Sequence, residues 1–136
     1  MTFEIVNPES LGAPKGWSNG VLAPQGGRLL FVAGQAGWEA GTAGDPPPFA
    51  AQFGRALDKI LTIVREAGGE PHEVARMTVY VTDLAAYRES RALLGEQWRT
   101  RFGTYYPAMA LLEVRGLVDP GAVIEIEATA VIAGKP

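Results

Sequence analysis

Two glutamates stand two residues apart in "AVIEIEATAVI", and they are the groups of this chain best suited to acid–base work. Side chains of a strand alternate between its faces. Glu125, Glu127 and Thr129 therefore share one face and Ile124, Ile126, Ala128 and Ala130 the other. A carboxylate on so apolar a strand either orients water and carries protons, or is satisfied by backbone amides or an arginine such as Arg115. Alternation alone makes both Glu125 and Glu127 candidates for the first role; Glu113 reads as a surface or interface residue.

The candidate cation is Arg91, set between Tyr87 and Leu94 at helical spacing on an apolar stripe. A guanidinium there must reach the helix edge or meet an acid, because an unpaired buried charge is costly. An acidic ligand and an intersubunit ion pair both satisfy it. Trp98 continues the same stripe and reads as core, while Trp38 lies in a glycine-rich loop that can line a cleft or an interface. With no cysteine and one histidine, His72, disulfides and thiolate chemistry are excluded and a histidine-rich metal site is not expected. "PQGGR" and "GTAGD" lack the lysine and hydroxyl residue of a phosphate loop. Neither a basic groove nor a histidine pair suggests nucleic acid.

The elements that must position these residues follow from periodicity. "MTFEIVNPES" holds a short strand, Phe3 to Val6, and "WSNGVLAPQGGRLLFVAGQ" reads as a hairpin, with an extended stretch to Ala23, a turn at Gly26-Gly27 and a strand from Arg28 to Ala33. Phe49, Phe53, Ala56, Leu57, Ile60, Leu61 and Val64 predict a helix from about Phe49 to Ala67, closed by Gly68-Gly69. "EVARMTVYVTD" is a strand, Asp83 caps a second helix whose stripe is Leu84, Tyr87, Leu94, Trp98 and Phe102, and "MALLEV" and "AVIEIEATAVI" are the closing strands. The order β-ββ-α-β-α-ββ in 136 residues predicts one α+β domain over 1–136, a mixed sheet with both helices on one face. The other face would expose Val79 or Tyr80, Leu111 or Leu112, Val123 and Val131, which predicts an oligomer. At 47% hydrophobic and 20% charged, the chain has a globular composition; no apolar run nears the ~20 residues of a membrane span and the N-terminus lacks a basic-then-apolar leader, so a cytoplasmic location away from membranes is expected.

In order and spacing, "GGRLLFVAGQ", "AAQFGRALDKILTIVREAGG", "VARMTVYVTDL" and, most specifically, "YPAMALLEVRGLVDPGAVIEIEA" resemble the reactive-intermediate deaminase family, also called the Rid or YjgF-like family. The resemblance implies a chorismate-mutase-like fold, a homotrimer whose sheets form a central barrel, and small-molecule clefts between subunits. For active members it implies cofactor-free hydrolysis of reactive enamines and imines to ammonia and a 2-keto acid. In deaminating members an arginine follows Pro-Ala and clamps the substrate carboxylate through its planar fork. Here Met109 stands at that place, after Pro107-Ala108, as in arginine-lacking subgroups. Trp17 takes the place of the cleft tyrosine, Gly34 and Gln35 match the end of the cleft strand whose backbone contacts ligand, and Glu127 matches the acid that positions water. By the same alignment Arg91 approaches a neighbour's cleft and is the expected substitute for the missing cation. The expectation is an imine or enamine hydrolase with altered substrate recognition, or else a non-catalytic trimer of the same shape that binds a small metabolite.

Overall fold

The computed structural model describes residues 2–134. Two short strands, β1 (Glu4–Val6) and β2 (Gly20–Leu22), form an antiparallel ribbon of their own. The main sheet is built on β6 (Ile124–Ile132), which lies antiparallel to β3 (Arg28–Ala36) on one side and to β4 (Val74–Val81) on the other. The fourth strand, β5 (Ala108–Glu113), pairs parallel to β4, as the helical crossover between them requires.

One face of this sheet is covered by α1 (Phe49–Glu66), whose Ala56, Leu57, Ile60 and Val64 meet Val32, Ile124, Ile126 and Ala130 in a continuous core. Gly68 ends the helix in the left-handed region at φ 87°, which a glycine enters without a side-chain clash. The α1 range agrees with its apolar spacing to one residue. Along β6, Ile124, Ile126, Ala128 and Ala130 are buried while Glu125, Glu127 and Thr129 are half-buried on the opposite face, as alternation requires.

The expected hairpin does not form. β2 runs back along β1, with Glu4 opposite Leu22, and β3 takes β6 as its partner instead. Burial accounts for the choice: β3 offers Leu30 and Val32 to the α1 side, where they pair with Ala130 and Ala128, and three-residue β2 has no comparable apolar face.

The second helix is interrupted. Asp83 caps α2 (Leu84–Glu89) by accepting from the amides of Ala85 and Ala86, but Ser90 stands between it and α3 (Arg91–Phe102). Leu94, Trp98 and Phe102 form the buried stripe of α3, and Trp98 stacks on Phe102 and Tyr106. Arg91 is therefore not on the buried stripe. As the first residue of α3 it is exposed, with its guanidinium 5.8 Å from the centre of the Tyr87 ring.

On the uncovered face the alternatives resolve to Tyr80 and Leu112, because Val79 is buried opposite Ile126 and Leu111 pairs with Val79. Leu29 and Phe31 on β3 are left open there, at 64% and 75% exposure, with Leu112 at 41%. Among the described residues, no helix is long and apolar enough to cross a membrane.

Candidate functional site

Glu127 lies where two irregularities of the sheet converge. Against β3 the pairing passes from Val32–Ala128 to Gln35–Ile126, so Ala33 and Gly34 together face Glu127 in a bulge. Against β4 it passes from Val74–Ala130 to Arg76–Thr129, which leaves Ala75 as the extra residue and sets Thr78 directly opposite Glu127. The second bulge lets Val74 turn into the core while Arg76, Thr78 and Tyr80 line the uncovered face.

The Tyr80 hydroxyl donates to Oε2 of Glu127. That bond, more than desolvation, raises the Tyr80 phenol above its ordinary pKa, since ionisation would remove the donor and place two anions together. Among the described residues, Oε1 of Glu127 accepts from no protein donor. Glu127 lines an open depression of about 260 Å³ together with Arg76, Thr78, Ala128 and Thr129. A carboxylate fixed through one oxygen, with the other free, can accept a proton from water.

A second depression, about 270 Å³, opens at the start of β5 and is lined by Trp17, Ser18, Asn19, Arg76, Ala108, Met109 and Ala110. The segment holding Trp17 is tied there by Ser18, whose amide donates to Pro107 O at 3.0 Å and whose hydroxyl donates to Tyr106 O at 2.6 Å. Trp17 is 43% exposed, and its Nε1 donates to Asn19 Oδ1 at 3.1 Å.

The six residues singled out in the sequence are thus divided. Glu127 lines the first depression and Trp17 and Met109 the second, while Gly34 and Gln35 lie in and beside the β3 bulge. Met109 pairs with fully buried Met77, so it belongs to the helix-facing side of β5 and packs against the core. Gln35 shares its side with Ile126, and its Nε2 donates to Ala33 O at 3.3 Å. Gly34 has a steric reason to be glycine: a Cβ there would stand 2.5 Å from Glu125 Oε2. Arg91 lines neither depression.

Sequence reasoning passed over Arg76, Thr78 and Tyr80. The signal was present as alternation in "RMTVYV", in which Met77, Val79 and Val81 point inward. What it lacked was the knowledge that β4 lies beside β6. Among the described residues, no cluster of three or more histidines or carboxylates is arranged to hold a metal ion.

The family described as Endoribonuclease L-PSP matches residues 8–132. The 2-iminobutanoate/2-iminopropanoate deaminase of Escherichia coli K12 is 32% identical over 105 residues, covering 77% of this chain and 80% of that protein. A RutC family protein of Pyrococcus abyssi is 32% identical over 135 residues, covering 96% and 98%. Among solved structures, a Rid-family protein of unknown function from Yersinia pestis superposes with a TM-score of 0.81 at 30% identity, over 97% of this chain and 100% of that one.

Proposed function

The chain belongs to the endoribonuclease L-PSP family, also called the Rid or YjgF-like family, and from that membership we propose that it hydrolyses small reactive imines or enamines without a cofactor. The similarity to a 2-iminobutanoate/2-iminopropanoate deaminase supports the substrate class. The observation that carries the chemistry is the state of Glu127: one carboxylate oxygen is held by Tyr80, and the residue lines a depression that water can enter.

In this reading water adds to the imine carbon as Glu127 takes one of its protons, giving a carbinolamine. Starting from the protonated imine, that carbinolamine is neutral; Glu127 returns the proton to nitrogen, the C–N bond breaks, and the hydroxyl proton passes to the departing ammonia, so iminium and water become ketone and ammonium. Both depressions are open in a single chain. Exposed Leu29 and Phe31 on the uncovered sheet face support a homotrimer whose neighbouring copies wall the cleft. Within it Trp17 offers a stacking surface, the backbone at Gly34 and Gln35 offers polar contacts, and Arg91 is the cation that a neighbouring copy brings to the rim. Met109 stands in place of the family arginine and packs against the core, which alters carboxylate recognition. The location proposed is cytoplasmic.

A second reading, a trimer that binds a small metabolite without turnover, is favoured by one feature: Met109 cannot pair with a carboxylate and packs against the core. Ammonia release from freshly generated 2-iminobutanoate separates the two. Acceleration over the uncatalysed rate is the expected result, and an unchanged rate removes the deaminase reading.

A further inference from the structure

Among the described residues, Arg76 alone lines both depressions. It is exposed on the uncovered face, opposite Thr129 on one side and Ala108 on the other. Among the described residues, no carboxylate lies within 4.0 Å of its guanidinium, although Arg55, Lys59 and Arg101 all have acidic partners. Thr78, between Arg76 and Tyr80 on the same face of β4, stands opposite Glu127. The cation thus lies two residues along the strand from the position facing the acid, ~7 Å at the usual rise. A small ligand spanning that interval would place its anionic end on the guanidinium and its reacting carbon beside the Glu127 carboxylate.

We infer that Arg76 is the specificity-determining residue of this chain, receiving the carboxylate of a small 2-oxo or 2-imino acid through the two-point pairing a guanidinium offers. This rests on the deaminase reading for the ligand class, but not for the site. Met109 borders the second depression too, but it pairs with Met77 while Arg76 pairs with Ala108, so Arg76 reaches the depression from the uncovered face, opposite the side to which Met109 belongs. Such an arrangement selects a carboxylate against its amide, because a neutral amide leaves the guanidinium without a counter-charge.

The test is binding, followed calorimetrically, of 2-oxobutanoate and of its uncharged amide to the wild type and to Arg76→Ala, Arg76→Lys and Arg91→Ala, with the oligomeric state of each variant measured in parallel. The expected result is binding of the acid over the amide by the wild type, an affinity lower by roughly tenfold or more in Arg76→Ala, and a smaller loss in Arg76→Lys, which keeps the charge without the fork. If Arg76→Ala loses its assembly, Arg76→Lys decides: a weakened acid affinity in an intact oligomer supports the assignment, and an unchanged one overturns it. Undiminished binding by an assembled Arg76→Ala, loss confined to Arg91→Ala, or a wild type that does not bind the acid also overturns it. Binding without faster ammonia release would leave Arg76 in place while removing the deaminase reading.

Discussion

The hydroxyl of Tyr80 donates its hydrogen bond to Glu127, although the residue directly opposite Tyr80 across the β4–β6 ladder is Glu125. The phenol therefore reaches diagonally, past Glu125, to the acid two residues further along. Thr78, whose side chain is shorter, occupies the position facing Glu127 and leaves room for that reach.

Replacing Tyr80 with phenylalanine removes the donor and keeps the ring. The expected kinetic result is a fall in kcat with KM little changed, because the bond orients the base without touching substrate. The sign of the stability effect follows from the raised phenol pKa. Its contribution is fully present below the ordinary tyrosine value of 10.0 and is lost as pH rises through the higher folded value. Thermal melts across alkaline pH will show wild type and Tyr80→Phe converging as pH rises.

Gly34→Ala sets a methyl group 2.5 Å from Glu125 Oε2, and the flexible carboxylate must move aside. A modest loss in melting temperature is expected, along with reduced turnover, because Gly34 belongs to the bulge that faces Glu127. Adding Glu125→Ala will recover much of the loss if the clash is its cause. A double-mutant cycle with no coupling between the two sites contradicts that explanation.

Gln52 is the buried polar residue that anchors the entry to β6. Its Nε2 donates to Gly121 O at 2.9 Å and to Pro47 O at 3.2 Å, while its Oε1 accepts from the Val123 amide at 2.9 Å. Gln52→Leu removes these partners, and a buried group left unsatisfied costs about 1–3 kcal/mol. Denaturant unfolding will show a loss of that order. A neutral result would mean that water replaces the amide.

The exposed apolar side chains of β3 bear on assembly. Sedimentation of the wild type is expected to give a trimer, and Phe31→Glu, which sets a charge at the open face, is expected to dissociate it into folded monomers. A wild-type monomer would remove the shared cleft from the account.

How much of this was legible in the sequence depended on how local each signal was. The stripe Ala56, Leu57, Ile60, Leu61 and Val64 defines α1 within a few turns, and the alternation of Ile124 to Thr129 fixes which residues of β6 face away from the helices. The hairpin expectation failed because Arg28–Ala36 pairs with a strand nearly a hundred residues later, a choice set by burial and not by the Gly26-Gly27 turn. The break at Ser90 was hidden because Leu84, Tyr87 and Leu94 continue a helical spacing across it, and serine is only a weak interrupter. For that reason Arg91 was assigned to a buried stripe that begins only at Leu94. Arg76 was readable as facing outward, yet its nearness to Glu127 exists only through the long-range pairing of β4 with β6. The side of β5 to which Met109 belongs is likewise a matter of register, set by its pairing with Met77.

The most direct test of the central claim, that Glu127 activates water, compares ammonia release from 2-iminobutanoate by the wild type and by Glu127→Gln at matched oligomeric state. The amide keeps the shape and can still accept from Tyr80, but it cannot take a proton. A loss of roughly a hundredfold or more in kcat is expected, with 2-oxobutanoate binding preserved. Equal turnover by the two proteins would contradict it.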